Sequence, residues 1–227
     1  MTGPTPIRAV VFDLDGTMFD TEALFFRVAS EMLQARGKRF TLEIMRAMIG
    51  RQGNESGLAF KTMTGLEDEP EALMAEARER FMAEIDAAVH PTPGLFALLD
   101  RLIALGIPRA VATSSRRAYA ERLLKGHGLF DNFAFVLAAE DVAKHKPDPE
   151  IYRTAAARLG VPTSSVLVLE DTPTGLAAAK AAGTFAVGVP HEHSPAEDLG
   201  AADLLIDTMA DPRLLSLFPL HPDATDR

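Results

Sequence analysis

Cysteine is absent from the 227-residue chain, which removes disulfides, thiolate metal centres and a cysteine nucleophile from any account of its stability or chemistry. Basic charge is scarce: 23 Lys and Arg stand against 32 Asp and Glu, for a net charge of −9. A surface of that sign repels the phosphates of nucleic acids and anionic membranes, so neither is an expected partner. No apolar run approaches the roughly 18 residues that a membrane-crossing helix needs. The stretch from Met1 to Pro6 is too short and polar for a secretory leader, so a cytoplasmic location is expected. Internal repeats and low-complexity tracts are also lacking. What is present is an ordinary globular composition, 47% hydrophobic, sufficient for one large domain or a domain carrying an insertion.

The most informative residues follow directly on the first apolar run. Asp13-Leu14-Asp15-Gly16-Thr17 succeeds Ile7 to Phe12, so two carboxylates emerge at the carboxyl end of a buried strand, where open α/β sheets place their active sites. Residues two apart in an extended segment point the same way, so Asp13 and Asp15 face one pocket while Gly16 lets the chain turn away. Two carboxylates that close need a cation or a proton between them, and an all-oxygen ligand set suits magnesium.

Helical spacing of Phe25, Val28, Ala29, Met32 and Leu33 predicts a helix from Glu22 to Arg36, closed by Gly37. A second helix is expected from Leu42 to Ile49, then a short helical stretch and a long helix from about Glu71, marked by Leu73, Ala77, Phe81 and Ile85. After Pro91 the pattern alternates. Helices are expected over 95–105, 119–125, 151–159 and 174–182, and strands over 109–113, 133–137, 166–169, 184–189 and 203–206. Such alternation implies an α/β fold: a Rossmann-like parallel sheet with helices on both faces. The first strand belongs to that sheet, which makes the helical segment an insertion. Residues 1–18 and 92–227 are assigned to the core and 19–91 to a helical cap. The five methionines Met45, Met48, Met63, Met74 and Met82 fall on helical spacings and are assigned to the cap's interior.

Three more polar signals follow later strands. Thr113-Ser114-Ser115 offers hydroxyls to phosphate oxygens, with one serine free to cap the next helix. Lys146 precedes a helix with Pro149 at its first position. Glu170-Asp171 ends another strand in two acids. Acids, hydroxyls and a lysine on one sheet edge suit phosphoryl transfer through an aspartyl phosphate, because a phosphate monoester needs a placed nucleophile, charge neutralisation and a proton for its leaving group. In this reading Asp13 attacks phosphorus, and Asp15 protonates the leaving oxygen and later activates water. Thr113 and Lys146 stabilise the phosphoryl group, and Asp13 and Asp171, with Glu170 beside them, hold magnesium.

These residues, in this order, resemble the haloacid dehalogenase superfamily, in particular its capped phosphatases and phosphoglucomutase relatives, over nearly the whole chain. The resemblance implies that the Asp15 carbonyl is also a magnesium ligand and that the cap closes over substrate. Mutase relatives carry a cap histidine and a cap lysine where this chain has Phe25 and Ala75. Hydrolysis of a small phosphomonoester (sugar, polyol or nucleoside phosphate) is therefore the expected activity, with a phosphosugar mutase as the alternative. A phospho-accepting signalling domain, which also combines acids, a hydroxyl and a lysine on a parallel sheet, is a third reading. Ser114, Arg116, Glu22 and the cap-loop residue Arg51 are the substrate-binding candidates. His191-Glu192-His193 lies between prolines and is read as an exposed loop outside the site. A monomer acting on a small phosphorylated metabolite is expected.

Overall fold

The computed structural model describes residues 6–48 and 54–219. Among them are six strands and nine α-helices in the order β1 (Ala9–Phe12), α1 (Thr21–Gln34), α2 (Leu42–Met48), α3 (Asn54–Thr64), α4 (Pro70–Ala88), α5 (Leu95–Ala104), β2 (Arg109–Ala112), α6 (Arg117–Gly126), β3 (Val136–Leu137), α7 (Glu150–Leu159), β4 (Val166–Glu170), α8 (Pro173–Ala182), β5 (Phe185–Gly188), β6 (Leu204–Leu205) and α9 (Pro212–Leu215). The chain divides into two compact units, Met1–Phe19 with Pro91–Arg227, and Asp20–His90.

In the first unit all six strands form one sheet of order β3-β2-β1-β4-β5-β6, and every pairing is parallel. Each strand-to-strand connection must cross over the sheet, and helices are the crossovers that close a parallel pair. Alternate residues of β1 go to opposite faces. Ala9 and Val11 join Ala112, Val166, Val168 and Ala186 in a cluster with Ile151, Tyr152 and Ala155 of α7 and Leu176 and Ala179 of α8. Val10, Phe12, Leu167 and Leu169, on the opposite face, are also fully buried. That two-sided burial is why β1 and β4 read as continuous apolar runs rather than alternating ones.

β1 occupies the middle of the sheet, paired with β2 on one side and β4 on the other. The strand ends in a tight loop. The Asp13 amide still donates to Leu169 O, at 3.0 Å, while the Met18 and Phe19 amides donate back to Leu14 O. Gly16 makes the turn with φ +72°, the left-handed region that costs glycine least. The chain leaves this unit at Phe19 and re-enters at Pro91, and those two residues form an antiparallel bridge. Thr92 Oγ1 then donates to Thr17 O at 2.7 Å, tying the re-entry to the loop that carries the aspartates.

The second unit contains helices and their connections, with no strand among its described residues. Its interior gathers Ala29 and Leu33 of α1, Phe40, Ile44, Met45 and Met48 around α2, Phe60 of α3 and Leu73 of α4. Asp20 caps α1 by accepting from the Ala23 amide, and Pro70 begins α4, the position where proline's missing N–H is harmless. Two of the five methionines, Met45 and Met48, are buried, and Met74 packs partly against the cluster. Met63 is 41% exposed, a correction to its assignment to the interior. The helix expected to have Pro149 as its first residue instead starts at Glu150 with Pro149 as N-cap.

Candidate active site

The polar residues singled out in the first unit stand where β1, β2 and β4 end. All three run in one direction, so their carboxyl ends share an edge, and Asp13, Thr113, Glu170 and Asp171 are brought there from positions up to 158 residues apart. All four are buried.

Lys146 is the hub. It arrives from the segment between β3 and α7 through a cis Lys146–Pro147 peptide. Its Nζ donates to Asp13 Oδ1 at 2.5 Å, to Glu170 Oε1 at 2.6 Å and to Ala112 O at 3.1 Å. Three donors meet three acceptors, which fully satisfies a buried ammonium. Burial by itself draws Lys146 down, but Asp13, Glu170 and Tyr152 outweigh it and hold the lysine well above its usual range, so it stays charged. Burial, opposed by Lys146 and reinforced by Glu170, Asp171 and Asp15, raises the Asp13 carboxyl well above the ordinary aspartate range.

Glu170 is engaged by neighbours on both oxygens. Tyr152 OH, from the buried face of α7, donates to Oε1 alongside Lys146, and Thr172 Oγ1 donates to Oε2 at 3.2 Å. Burial and then Glu170 keep the Tyr152 phenol well above its usual pKa, so it serves as a neutral donor. Gly175 in the first turn of α8 is required here, because a Cβ would overlap the Glu170 carboxylate. Asp171 is held on both oxygens as well: Thr17 Oγ1 donates to Oδ1 at 3.0 Å, and His191 Nε2 lies 3.1 Å from Oδ2. A Cβ on Gly16 would overlap that same Oδ2, so Gly16 is fixed by close approach as well as by its φ.

Asp15 has partners that sequence reasoning missed. Ser115 Oγ donates to its Oδ2 at 2.6 Å and Tyr119 OH to its Oδ1 at 2.6 Å. The expected serine cap is therefore corrected: α6 has Arg116 as N-cap with no side-chain cap bond, and Ser115 turns to Asp15 instead. Thr113 Oγ1 accepts from the Ser115 amide at 3.0 Å, which fixes the start of this segment.

Among the other candidates, Ser114 and Arg116 are exposed. Arg117, by contrast, pairs with Asp141. Glu22 sits in the first turn of α1 in the second unit, and Arg51 lies outside the described residues. Phe25, at the place of the mutase histidine, packs edge-on against Phe40, and Ala75 is exposed. The exposed-loop reading of residues 191–193 is overturned for His191, whose ring reaches Asp171.

One carboxylate oxygen each from Asp13, Glu170 and Asp171 lie within 4.8 Å of one another. Three acids against one lysine leave negative charge in a buried space, which adds to the burial that raises the Asp13 carboxyl. The donors are all hard oxygens. This set fits a magnesium ion.

Comparison with known proteins agrees with the geometry. Residues 10–189 match the family described as haloacid dehalogenase-like hydrolase. The validoxylamine A 7'-phosphate phosphatase of Streptomyces hygroscopicus subsp. limoneus is 33% identical over 91% of this chain and 96% of its own length. The Escherichia coli (strain K12) fructose-1-phosphate phosphatase YqaB is 34% identical over 79% of this chain and 95% of its own. CbbY from Rhodobacter sphaeroides, solved in complex with phosphate, superposes with a TM-score of 0.77 at 30% identity, covering 94% of this chain and all of that one. A fold, a strand-end constellation and a family match that coincide on the same residues lead to one statement: this chain belongs to the haloacid dehalogenase-like hydrolases.

Proposed function

We propose that the protein is a phosphoric monoester hydrolase that acts on a small phosphorylated metabolite, with sugar phosphates first among them, through an aspartyl phosphate on Asp13. The observation that carries this reading is the buried Lys146 bridging Asp13 and Glu170 beside Asp171. A lysine held between an acid at the end of β1 and one at the end of β4 has its charge fixed next to the proposed nucleophile, ready for phosphoryl oxygens. The phosphatase names of the relatives support the hydrolytic outcome.

In the first step an oxygen of Asp13 bonds to phosphorus while the ester bond breaks, and Asp15 gives its proton to the leaving oxygen. In the second, Asp15 takes a proton from water, the water oxygen bonds to phosphorus, and Asp13 leaves with its carboxylate restored. Ser115 and Tyr119 orient Asp15, and Thr113 donates to the phosphoryl group. Glu170 acts mainly through Lys146, because its oxygens already accept from Lys146, Tyr152 and Thr172. Asp13, Asp171 and the Asp15 carbonyl would hold magnesium, which supplies positive charge to the phosphoryl oxygens when bound. Glu22 and Arg51 of the insertion are assigned to substrate selection. Neither Phe25 nor Ala75 carries a group able to handle a second sugar hydroxyl, which favours hydrolysis over mutase chemistry.

The test is inorganic phosphate release from a panel of sugar, polyol and nucleoside monophosphates, with magnesium or EDTA. Magnesium-dependent turnover that Asp13→Asn abolishes supports the proposal, as does a hydroxylamine-labile phosphoryl group trapped on Asp13. Sustained release by that variant would overturn Asp13 as nucleophile.

A further inference from the structure

His191 follows β5, and nothing about its neighbours in sequence, two prolines and a second histidine, points to the acids at the sheet edge. The structure builds it a seat. Val189 N–H donates to Glu170 O at 2.8 Å, so the chain beyond β5 starts out bound to the end of β4. Five residues further, buried Ser194 donates its hydroxyl to Asp171 O. Between these ties the His191 and Ser194 amides and carbonyls exchange bonds of 3.0 and 3.1 Å, which closes a compact loop under the ring.

The ring's tautomer follows from its partners. His193 N–H donates to His191 Nδ1 at 3.2 Å, which makes Nδ1 an acceptor. The proton of the neutral imidazole is then on Nε2, aimed at Asp171 Oδ2. With Thr17 Oγ1 on Oδ1, both oxygens of Asp171 receive a donor from a fixed element, one from the loop after β1 and one from the loop after β5. Gly16 leaves the space that this pair occupies, since a Cβ there would stand 3.1 Å from His191 Nε2.

We propose that His191 is a positioning residue of the metal site: its Nε2–H fixes the orientation of the Asp171 carboxylate and thereby raises the affinity of the site for a divalent cation. This rests on the assignment of Asp171 as a metal ligand made above. A carboxylate free to rotate must be ordered when the ion binds, whereas one clamped from both sides is already in place. Groups that hold a ligand in this way are commonly worth about 10- to 100-fold in metal affinity.

Isothermal titration calorimetry of magnesium chloride into the metal-free full chain tests it without reference to turnover. The series is wild type, Asp171→Asn, His191→Ala, His191→Gln and Glu192→Ala. Gln places an amide nitrogen at about the reach of Nε2, and Glu192 is an exposed neighbour in the same loop. The expected result is binding by wild type and Glu192→Ala alike, about tenfold or greater weakening in His191→Ala, and partial recovery in His191→Gln, all with unfolding midpoints that show folded protein. Wild-type affinity or better in His191→Ala overturns the proposal and leaves the assignment of Asp171 intact. Equal losses in His191→Ala and His191→Gln also overturn it, because the loop's shape and not the donor would then be responsible. No binding by wild type, or binding unchanged in Asp171→Asn, removes the metal-site assignment and this proposal with it.

Discussion

The two units of the chain use charge in opposite ways. In the sheet unit, Asp13, Glu170 and Asp171 are buried and share Lys146, Tyr152, Thr17 and His191 as partners. In the helical unit the ion pairs are on or near the surface: Arg27 reaches Glu31 and Glu84, and Arg36 reaches Glu76 and Asp68. The interiors differ as well. The sheet unit packs small and branched residues between strands and helices, whereas the helical unit packs Phe40, Phe60, Met45 and Met48 with Phe25 and Phe26 alongside. Buried, mutually satisfied charges hold a geometry because moving one strands the others. Exposed pairs and adaptable Met and Phe side chains hold much less. Chemistry that demands fixed distances is therefore expected to fail on small changes in the first unit and to tolerate them in the second.

The largest effect belongs to Asp13→Asn. Turnover should fall by about four orders of magnitude or more, as when any member of a catalytic group is removed, while the metal-free protein becomes more stable. Because the Asp13 carboxyl is raised on folding, folding favours its protonated form, and stability is lost as pH rises through the ordinary aspartate range and on through the raised pKa. Asparagine has no such dependence. Thermal unfolding of metal-free protein at neutral pH should thus show a higher midpoint for the variant, with the gap closing in acid. A lower midpoint at neutral pH would break the comparison at its strongest point.

Gly16→Ala comes next. It places a side chain at φ +72° and against Asp171, so about 1–3 kcal/mol of strain is expected, together with loss of most activity. Denaturant unfolding and phosphate release measure the two separately. Smaller again is Tyr119→Phe, which removes one of the two hydroxyls on Asp15. A bond to a charged group is worth about 1.5–3 kcal/mol, so kcat should drop roughly tenfold or somewhat more with KM little changed. Ser115→Ala should do the same, and the double variant should lose less than the product of the two, because both act through one carboxylate.

Glu76→Gln sets the lower end of the scale. Its hydrogen bond to Arg36 holds the Glu76 carboxyl below its ordinary value against a burial effect that raises it. The contribution is therefore full above the ordinary glutamate range and lost as pH falls through the lowered pKa. Both side chains are about a quarter exposed, at 25% and 28%, so less than about 1 kcal/mol is at stake, and activity should not change. A large catalytic effect here would show that the helical unit constrains geometry as tightly as the sheet unit does.

Much of this was legible in the chain before any coordinate. The run Ala9 to Phe12 followed by Asp13 and Asp15 marks a central strand and the end where its acids emerge, because a strand buried on both faces has no polar alternation and must release its acids where it stops. Ser115, Tyr119, Tyr152 and His191 were not legible as site residues. Tyr152 reads as one more member of an apolar stripe, although a buried phenol needs a partner for its hydroxyl. His191 reads as loop, since the bonds that seat it run to Glu170 and Asp171, twenty or so residues away along the chain.

The division follows from the range of the forces involved. Periodicity, turn glycines and strand-end acids are local properties of the backbone, so the sequence by itself determined the α/β order of elements, and it singled out Asp13, Asp15, Thr113, Lys146, Glu170 and Asp171 as candidates. Which donor satisfies which oxygen depends on crossovers that bring 154 residues of separation down to a 3.0 Å bond between Thr17 and Asp171. Only the folded sheet decided that, because a buried carboxylate takes its partners from whatever the strands on either side deliver.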